Sequence, residues 1–211
     1  MTMARRPSYA AILANGASAY DAEIPTNGAS AYDAKIPTNG PSAYESHVPK
    51  IGGQIPSADD VLSDHERLLN RLELYELVER KIMGDGNCQF RSLSDQIYGT
   101  SDHHGVVRAE IVHQLKSQPE SYANFVPMAY GDYLKKMSRN GEWGDHVTLQ
   151  AAADCYGIKI FVITSYKDTC YIEILPRDEK SDRTILLSFQ AEVHYNSIYP
   201  YENVKKSKKS W

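Results

Sequence analysis

Apolar residues recur at intervals of three or four in the middle of the chain, which is the spacing of one face of a helix. The pattern predicts a first helix that Ser57 caps and that continues through residues 58–81. It also predicts a second helix that begins at Cys88 and stops at Gly99, and a third helix that ends before Pro119.

Two more helical segments follow before the pattern changes. One spans residues 119–137 and is interrupted at Pro127 and Gly131, and the other is capped by Asp145 and stopped by Gly157. The stretch "RNGEWGDH" between them is polar and carries two glycines, so it is predicted to be a loop.

Short segments rich in β-branched and aromatic residues close the chain. They begin at Ile158, Cys170, Thr184 and His194. Because the helices come first and the strands last, we expect an α+β fold with a small, mostly antiparallel sheet packed between helices. The sequence contains neither a Walker A nor a GxGxxG motif, so a nucleotide-binding fold has no support from it.

The N-terminal region carries a twelve-residue repeat, "NGASAYDAEIPT", in two nearly identical copies and a third, diverged one. Each copy is too short and too polar to build a core. We therefore expect a disordered arm over residues 1–55, a folded catalytic domain over 56–204 and a basic tail over 205–211. The arm is either a multivalent docking segment or a neutral duplication, and in the first case the repeated contacts would be Tyr20, Tyr32 and Tyr44.

Composition narrows the class of protein further. A net charge of −4 and a pI near 6.0 argue against a nucleic-acid partner, and no run reaches the roughly 20 apolar residues of a membrane span. The three cysteines are an odd number without close pairing, which fits a reducing compartment. We expect a monomer in the cytoplasm, and the basic tail leaves a nuclear location open as well.

Cys88 is the first candidate for chemistry. It stands between a turn-forming stretch, "GDGN", and the second predicted helix. The unpaired N–H groups at a helix start favour negative charge, so they would lower the pKa of a thiol there and make it a nucleophile. The alternative is that Cys88 is a small apolar residue of the core, as many free cysteines are.

His194 is the best-placed base for such a nucleophile. It begins the last predicted strand, and Asn196, two residues later, points to the same side of that strand. An amide in this place could orient the imidazole, as in Cys-His-Asn catalytic arrangements. The other histidines are most simply structural or surface residues. His103, His104 and His113 lack the spacing of a zinc site, so we expect no metal.

"GDGNCQFRSLS" and "EVHYNSIYP" together resemble the two signature blocks of the ovarian tumour (OTU) family of papain-like cysteine proteases, which act on ubiquitin conjugates. The resemblance covers roughly residues 57–203, includes "EWGDHVTLQAAADCYGIKIFVI", and is nearest to the branch found in plants. It implies a papain-like OTU fold, ubiquitin and ubiquitinated proteins as partners, and no cofactor.

The resemblance also implies roles for single residues. Cys88 would be the nucleophile, His194 the general base, and Asp85 a further member of the catalytic group, whereas strand geometry favours Asn196 as the residue that orients His194. Trp143 would line the channel for the ubiquitin tail, or else it anchors its surface loop to the core. The implied activity is that of a thiol-dependent ubiquitinyl hydrolase, and the alternatives are an inactive ubiquitin-binding module and a protease for another ubiquitin-like modifier.

Overall fold

A six-stranded sheet organises the computed structural model, which describes residues 50–52 and 63–201. The strands are β1 (Lys50–Gly52), β2 (Leu77–Arg80), β3 (Ile158–Thr164), β4 (Tyr171–Ile174), β5 (Ser181–Gln190) and β6 (His194–Pro200). Their order across the sheet is β1-β4-β3-β5-β6-β2. Only the central pair, β3 and β5, is parallel, which confirms the mostly antiparallel sheet expected from the sequence.

Helices cover both faces of this sheet. They are α1 (Asp64–Leu74), α2 (Cys88–Tyr98), α3 (His104–Ser117), α4 (Pro119–Tyr122), α5 (Tyr130–Met137) and α6 (His146–Tyr156), with single 3-10 turns at Ser101–His103 and Ala123–Phe125. Side chains alternate along β3, so that Ile160 and Val162 pack towards α2, α3, α5 and α6, while Phe161 and Ile163 pack against α1. The α+β fold class is therefore confirmed.

The first helix is shorter than the sequence predicts. Its described part begins after Ser63, which forms a capping box with Glu66, whereas Ser57 lies outside the described residues. The helix ends at Leu74, and Glu76 then takes a left-handed φ of 56° that redirects the chain into β2. The prediction of helix up to residue 81 is wrong because pairing of β2 with β6 overrides the local helical pattern.

Two other predictions need correction. Gly131 does not interrupt a helix but lies inside α5. Residues 50–52, at the end of the predicted disordered arm, form the edge strand β1 and pair with β4, so the folded domain begins before residue 56. The remainder of the arm, with most of the repeats, and the basic tail lie outside the described residues.

The ends of α6 match the sequence prediction. The Asp145 carboxylate accepts hydrogen bonds from the N–H groups of Val147 and Thr148, both at 3.0 Å, and Gly157 closes the helix with a φ of 64°. The predicted loop before Asp145 is also observed. These caps fix the position at which the loop enters α6 and the position at which α6 passes into β3.

Asp95 joins α2 to β6. Its buried carboxylate accepts hydrogen bonds from the hydroxyl groups of Ser197, at 2.5 Å, and Tyr199, at 2.6 Å, and from Arg80 at 2.9 Å. A buried carboxylate is stable only when it is paired in this way. The contacts hold the helix that starts at Cys88 against the strand that starts at His194.

Candidate active site

Cys88, Trp143 and His194 line one cavity of about 480 Å³. The cavity opens beside the start of α2, and its inner wall is apolar, consisting of Leu149, Val162, Ile172, Ile174 and Phe189. Asp85 and Asn196 are not among the residues that line it. The structure thus brings the predicted nucleophile, base and channel residue together, and it places the other two predicted residues behind them.

Cys88 occupies the first position of α2 and is 6% exposed. Burial raises the pKa of its thiol, whereas the N–H groups of Tyr195, Gln89 and Cys88 itself oppose that rise. The helix start alone predicted a lowered pKa, and that expectation is wrong because desolvation outweighs the hydrogen bonds. The thiol is therefore largely protonated at neutral pH until a base removes its proton.

The imidazole of His194 is held by the backbone of Ile82. Its Nε2 lies 3.0 Å from the Ile82 carbonyl oxygen. Because a carbonyl can only accept a hydrogen bond, Nε2 must carry the proton, and the lone pair is on Nδ1. A methyl group placed on Gly84 would lie 3.9 Å from Nδ1, so the basic edge of the ring faces the turn that leads to Cys88.

Asn196 contacts the backbone of the same residue, Ile82, and not the imidazole. Its Oδ1 accepts a hydrogen bond of 2.9 Å from the N–H of Ile82. The direct Asn196–His194 contact expected from strand geometry is therefore wrong, because the side chain reaches across to the segment before Gly84 instead. Among the described residues, Ile82 is the shared partner of both side chains, one at its N–H and the other at its carbonyl.

The Asp85 carboxylate bonds within the turn and to α2, and not to His194. Its carboxylate forms a bidentate pair with Arg91, with a shortest distance of 2.6 Å, and it accepts a hydrogen bond of 3.1 Å from the N–H of Asn87. The Arg91 guanidinium, and secondarily the Asn87 groups, hold the pKa of Asp85 well below its usual range. This carboxylate braces the turn before Cys88 and is turned towards α2.

The turn also rests on the loop between α5 and α6. Gly86 has a φ of 80°, and a Cβ built on it would lie only 2.0 Å from the Gly141 carbonyl oxygen. The side-chain oxygen of Asn87 accepts a hydrogen bond of 2.8 Å from the N–H of Gly141. The two segments are therefore in backbone contact, and glycine is required at residue 86 for conformation as well as for space.

Trp143 stands at the mouth of the cavity and is 56% exposed. The next residue, Gly144, lies so close to Gln89 that an added Cβ would be 2.1 Å from the amide oxygen. Gln89 in turn bonds Thr148 at 2.7 Å and the carbonyl of Asp145 at 3.1 Å. These contacts fix the backbone of the Trp143 loop, while the role of Trp143 towards a substrate stays a prediction.

Ile82 and Arg108 belong to the site, although sequence reasoning missed both. Ile82 acts through its backbone, which leaves no signal in residue type. Arg108 did leave a signal, because it is a charged residue on the apolar face of α3, next to Val107 and one turn from Ile111.

The part of the chain that the structure describes offers neither a metal-binding cluster nor a membrane-spanning helix. Within residues 63–201, no group of three or more His, Cys, Asp or Glu side chains is arranged to hold a metal ion. Over the described part of the chain, every helix is too short or too polar to cross a bilayer.

Comparison with known proteins identifies the family to which the residues of this site belong. The family model for OTU-like cysteine proteases matches residues 83–197. The chain is 65% identical to OVARIAN TUMOR DOMAIN-containing deubiquitinating enzyme 9 of Arabidopsis thaliana, over 77% of this chain and 48% of the relative, so it spans about half the length of that protein. It is 50% identical to enzyme 12 of the same plant, over 77% of this chain and 76% of the relative.

The fold has solved counterparts. The OTUD1 OTU domain superposes with a TM-score of 0.57 at 20% identity, over 64% of this chain and 94% of that domain. The viral OTU domain protease from Qalyub virus gives a TM-score of 0.50 at 18% identity, over 59% of this chain and 84% of that chain. At these identities the likeness concerns the fold.

Proposed function

Since this chain belongs to the family of OTU-like cysteine proteases, we propose that it is a deubiquitinase, which hydrolyses the peptide or isopeptide bond at the C-terminus of ubiquitin in conjugates. The observation that carries the proposal is that Cys88 and His194 line one cavity, with the basic edge of the imidazole facing the turn before the thiol. The relatives named as deubiquitinating enzymes support ubiquitin as the substrate class.

The chemistry is acyl transfer in two stages. Nδ1 of His194 takes the Cys88 proton as the sulfur attacks the carbonyl carbon at the ubiquitin C-terminus. The protonated imidazole then gives that proton to the departing lysine amine, and a thioester remains on Cys88. Water, deprotonated by the same nitrogen, attacks the thioester, which releases the ubiquitin carboxylate and returns the proton to the sulfur.

The negative charge that develops on the attacked oxygen needs hydrogen-bond donors. The N–H of Asn87 is already used by Asp85, so it is not among them. The remaining donors at this place are the N–H groups at the start of α2 and in the rest of the turn, where the helix dipole adds its positive end. A single preorganised donor of this kind contributes about 3 kcal/mol in other enzymes.

A covalent probe tests the proposal. Ubiquitin that carries an electrophile in place of its C-terminal carboxylate should label the reduced protein, and peptide mass spectrometry should find the adduct on Cys88. If ubiquitin binds but no adduct forms, the chain is a binding module and the proposal is wrong. Labelling by a probe built on another ubiquitin-like modifier, and not by the ubiquitin probe, would reassign the substrate.

Alkylation of the free protein should show the raised pKa of Cys88. Because burial stabilises the neutral thiol, the thiolate population grows only when the pH passes the raised pKa, so the iodoacetamide rate at Cys88 should increase with a midpoint above that of an ordinary cysteine thiol. Peptide mass spectrometry separates this rate from that at Cys155. A midpoint below about 7 would mean that a thiolate–imidazolium pair already exists without substrate.

Asn196→Ala should lower kcat by about 10- to 100-fold, because the N–H of Ile82 loses its partner and the backbone of this residue no longer holds its carbonyl, and with it the imidazole, in place. Asn196→Asp is the matched control, since its carboxylate can accept the same hydrogen bond. The measurement is steady-state hydrolysis of a fluorogenic ubiquitin substrate alongside thermal stability.

Asp85→Asn tests whether Asp85, and not Asn196, positions His194. It keeps an acceptor oxygen for the Asn87 N–H and should cost less activity than Asn196→Ala. If Asp85→Asn is the more damaging change while its stability is intact, the Asp85 carboxylate acts on the base and the role given to Asn196 is wrong.

A further inference from the structure

Arg108 is a buried cation next to the predicted nucleophile. It lies on α3, is 4% exposed, and its guanidinium carbon stands 3.8 Å from the centroid of the Phe90 ring. Phe90 follows Cys88 by two residues in α2, so the cation packs against the first turn of the nucleophile's helix.

One arm of the guanidinium reaches the turn before Cys88. Nη2 of Arg108 donates a hydrogen bond of 2.8 Å to Oδ1 of Asn87, the residue that immediately precedes the nucleophile. The same oxygen accepts the Gly141 N–H, so the Asn87 side chain is held between two donors and cannot rotate without losing both.

The guanidinium also binds the loop that leads to Trp143. Nη2 donates to the carbonyl of Glu142 at 2.7 Å, and Nη1 donates to the carbonyl of Met137 at 2.9 Å. Met137 ends α5, and Glu142 directly precedes Trp143 at the mouth of the cavity. Arg108 therefore contacts both segments whose backbones meet at Gly86 and Gly141.

The position is unfavourable for a residue that serves stability alone. Nε of Arg108 is buried without a hydrogen-bond partner among the described residues, and burial lowers the pKa of its guanidinium to about 10 despite the carboxylates of Glu142 and Asp85 nearby. A desolvated cation with an unsatisfied donor costs free energy that an apolar side chain of similar size would not. What an apolar side chain could not do is hold Asn87 and the two carbonyls in one arrangement.

We propose that Arg108 is a positioning residue for the hydrolysis proposed above: through Asn87 and Glu142 it fixes the turn before Cys88 and the Trp143 loop as one rigid unit. The inference rests on the proposed function, because its consequence is the placement of the backbone donors at the start of α2 around the reacting carbonyl.

Arg108→Met tests the inference, since methionine can still pack on Phe90 but donates no hydrogen bond. We expect kcat for a fluorogenic ubiquitin substrate to fall about 100-fold, whereas the rate at which iodoacetamide alkylates Cys88, a reaction that needs no oxyanion donor, should change less than about 3-fold. Leu115→Ala, a fully buried change two turns along the same helix, is the control for lost stability and should leave both rates near wild type.

A double-mutant cycle with Asn87→Ala tests whether Arg108 acts on the turn through the Asn87 side chain. If Arg108 acts through Asn87, the double variant should be no more than about 3-fold slower than the worse single variant, whereas Arg108→Met combined with Leu115→Ala should be additive. Should Arg108→Met fail to fold, Arg108→Lys takes its place, because a lysine keeps the charge but cannot bind three acceptors as a planar fork.

Three results would overturn the inference. They are unchanged turnover in the folded Arg108 variant, an additive cycle with Asn87→Ala, and a parallel loss of turnover and alkylation, which would indicate general collapse of the site. A wild-type protein without turnover would refute the proposed function instead, so the two failures are distinguishable.

Discussion

Cys88→Ser should abolish measurable ubiquitin hydrolysis, a loss of about 10⁴-fold or more, while ubiquitin still binds with an affinity within about 3-fold of wild type. Serine is slightly smaller than cysteine and fits the same buried position, so the fold should be kept. Its hydroxyl ionises far less readily than a thiol, and an imidazole that serves a thiol is not placed to activate it.

The control for that variant is Cys155→Ser. Cys155 is also a free thiol, partly buried on α6, and it does not line the cavity. The control variant should turn over at the wild-type rate and react with the ubiquitin probe. Retained hydrolysis by Cys88→Ser, or its loss in Cys155→Ser with the fold intact, would show that the wrong cysteine has been assigned.

Gly86→Ala should lower kcat by about 10³-fold, because its Cβ would be driven into the Gly141 carbonyl and the turn would have to move away from the nucleophile. Gly99→Ala is a matched control. Gly99 has a φ of 74°, close to the 80° of Gly86, but nothing lies within 4 Å of an added Cβ. Both variants carry a backbone strain of about 1 kcal/mol, whereas only Gly86→Ala also brings a Cβ into the Gly141 carbonyl.

The measurement is kcat together with the free energy of unfolding for each variant. Gly99→Ala should stay within about 3-fold of wild-type kcat. If the two variants lose activity equally, backbone strain explains the loss, and the contact between the turn and the Gly141 loop has no catalytic consequence.

Features with local causes were predictable from the sequence. The caps of α6 are one example, because Asp145 and Gly157 act on residues within a turn of themselves. The position of Cys88 at a helix start is another, since turn formers precede it and an apolar stripe follows it. The four predicted strands are present because their β-branched and aromatic residues are a local signal, but the sequence did not show which strands pair.

What the sequence could not supply were the consequences of distant contacts. The end of α1 was missed because the segment after it pairs with β6, more than a hundred residues away in the chain. The role of the Ile82 backbone was missed because backbone groups are the same in every residue type except proline, so the sequence gives no sign of it. A lowered pKa of the Cys88 thiol was expected from one helix, whereas burial of the thiol within the folded domain raises that pKa.

The contacts of Asp95 also bear on how the protein folds. Its hydrogen bond to Ser197 spans 102 residues, and loops of that length close slowly because their entropy must be lost before any contact is gained. The cavity can form only after β6 has joined the sheet, because His194 and Tyr195 of that strand line it. A chain emerging from the ribosome carries the Cys88 thiol long before the His194 imidazole, so the pair on which the proposed hydrolysis depends is complete only once β6 is in place.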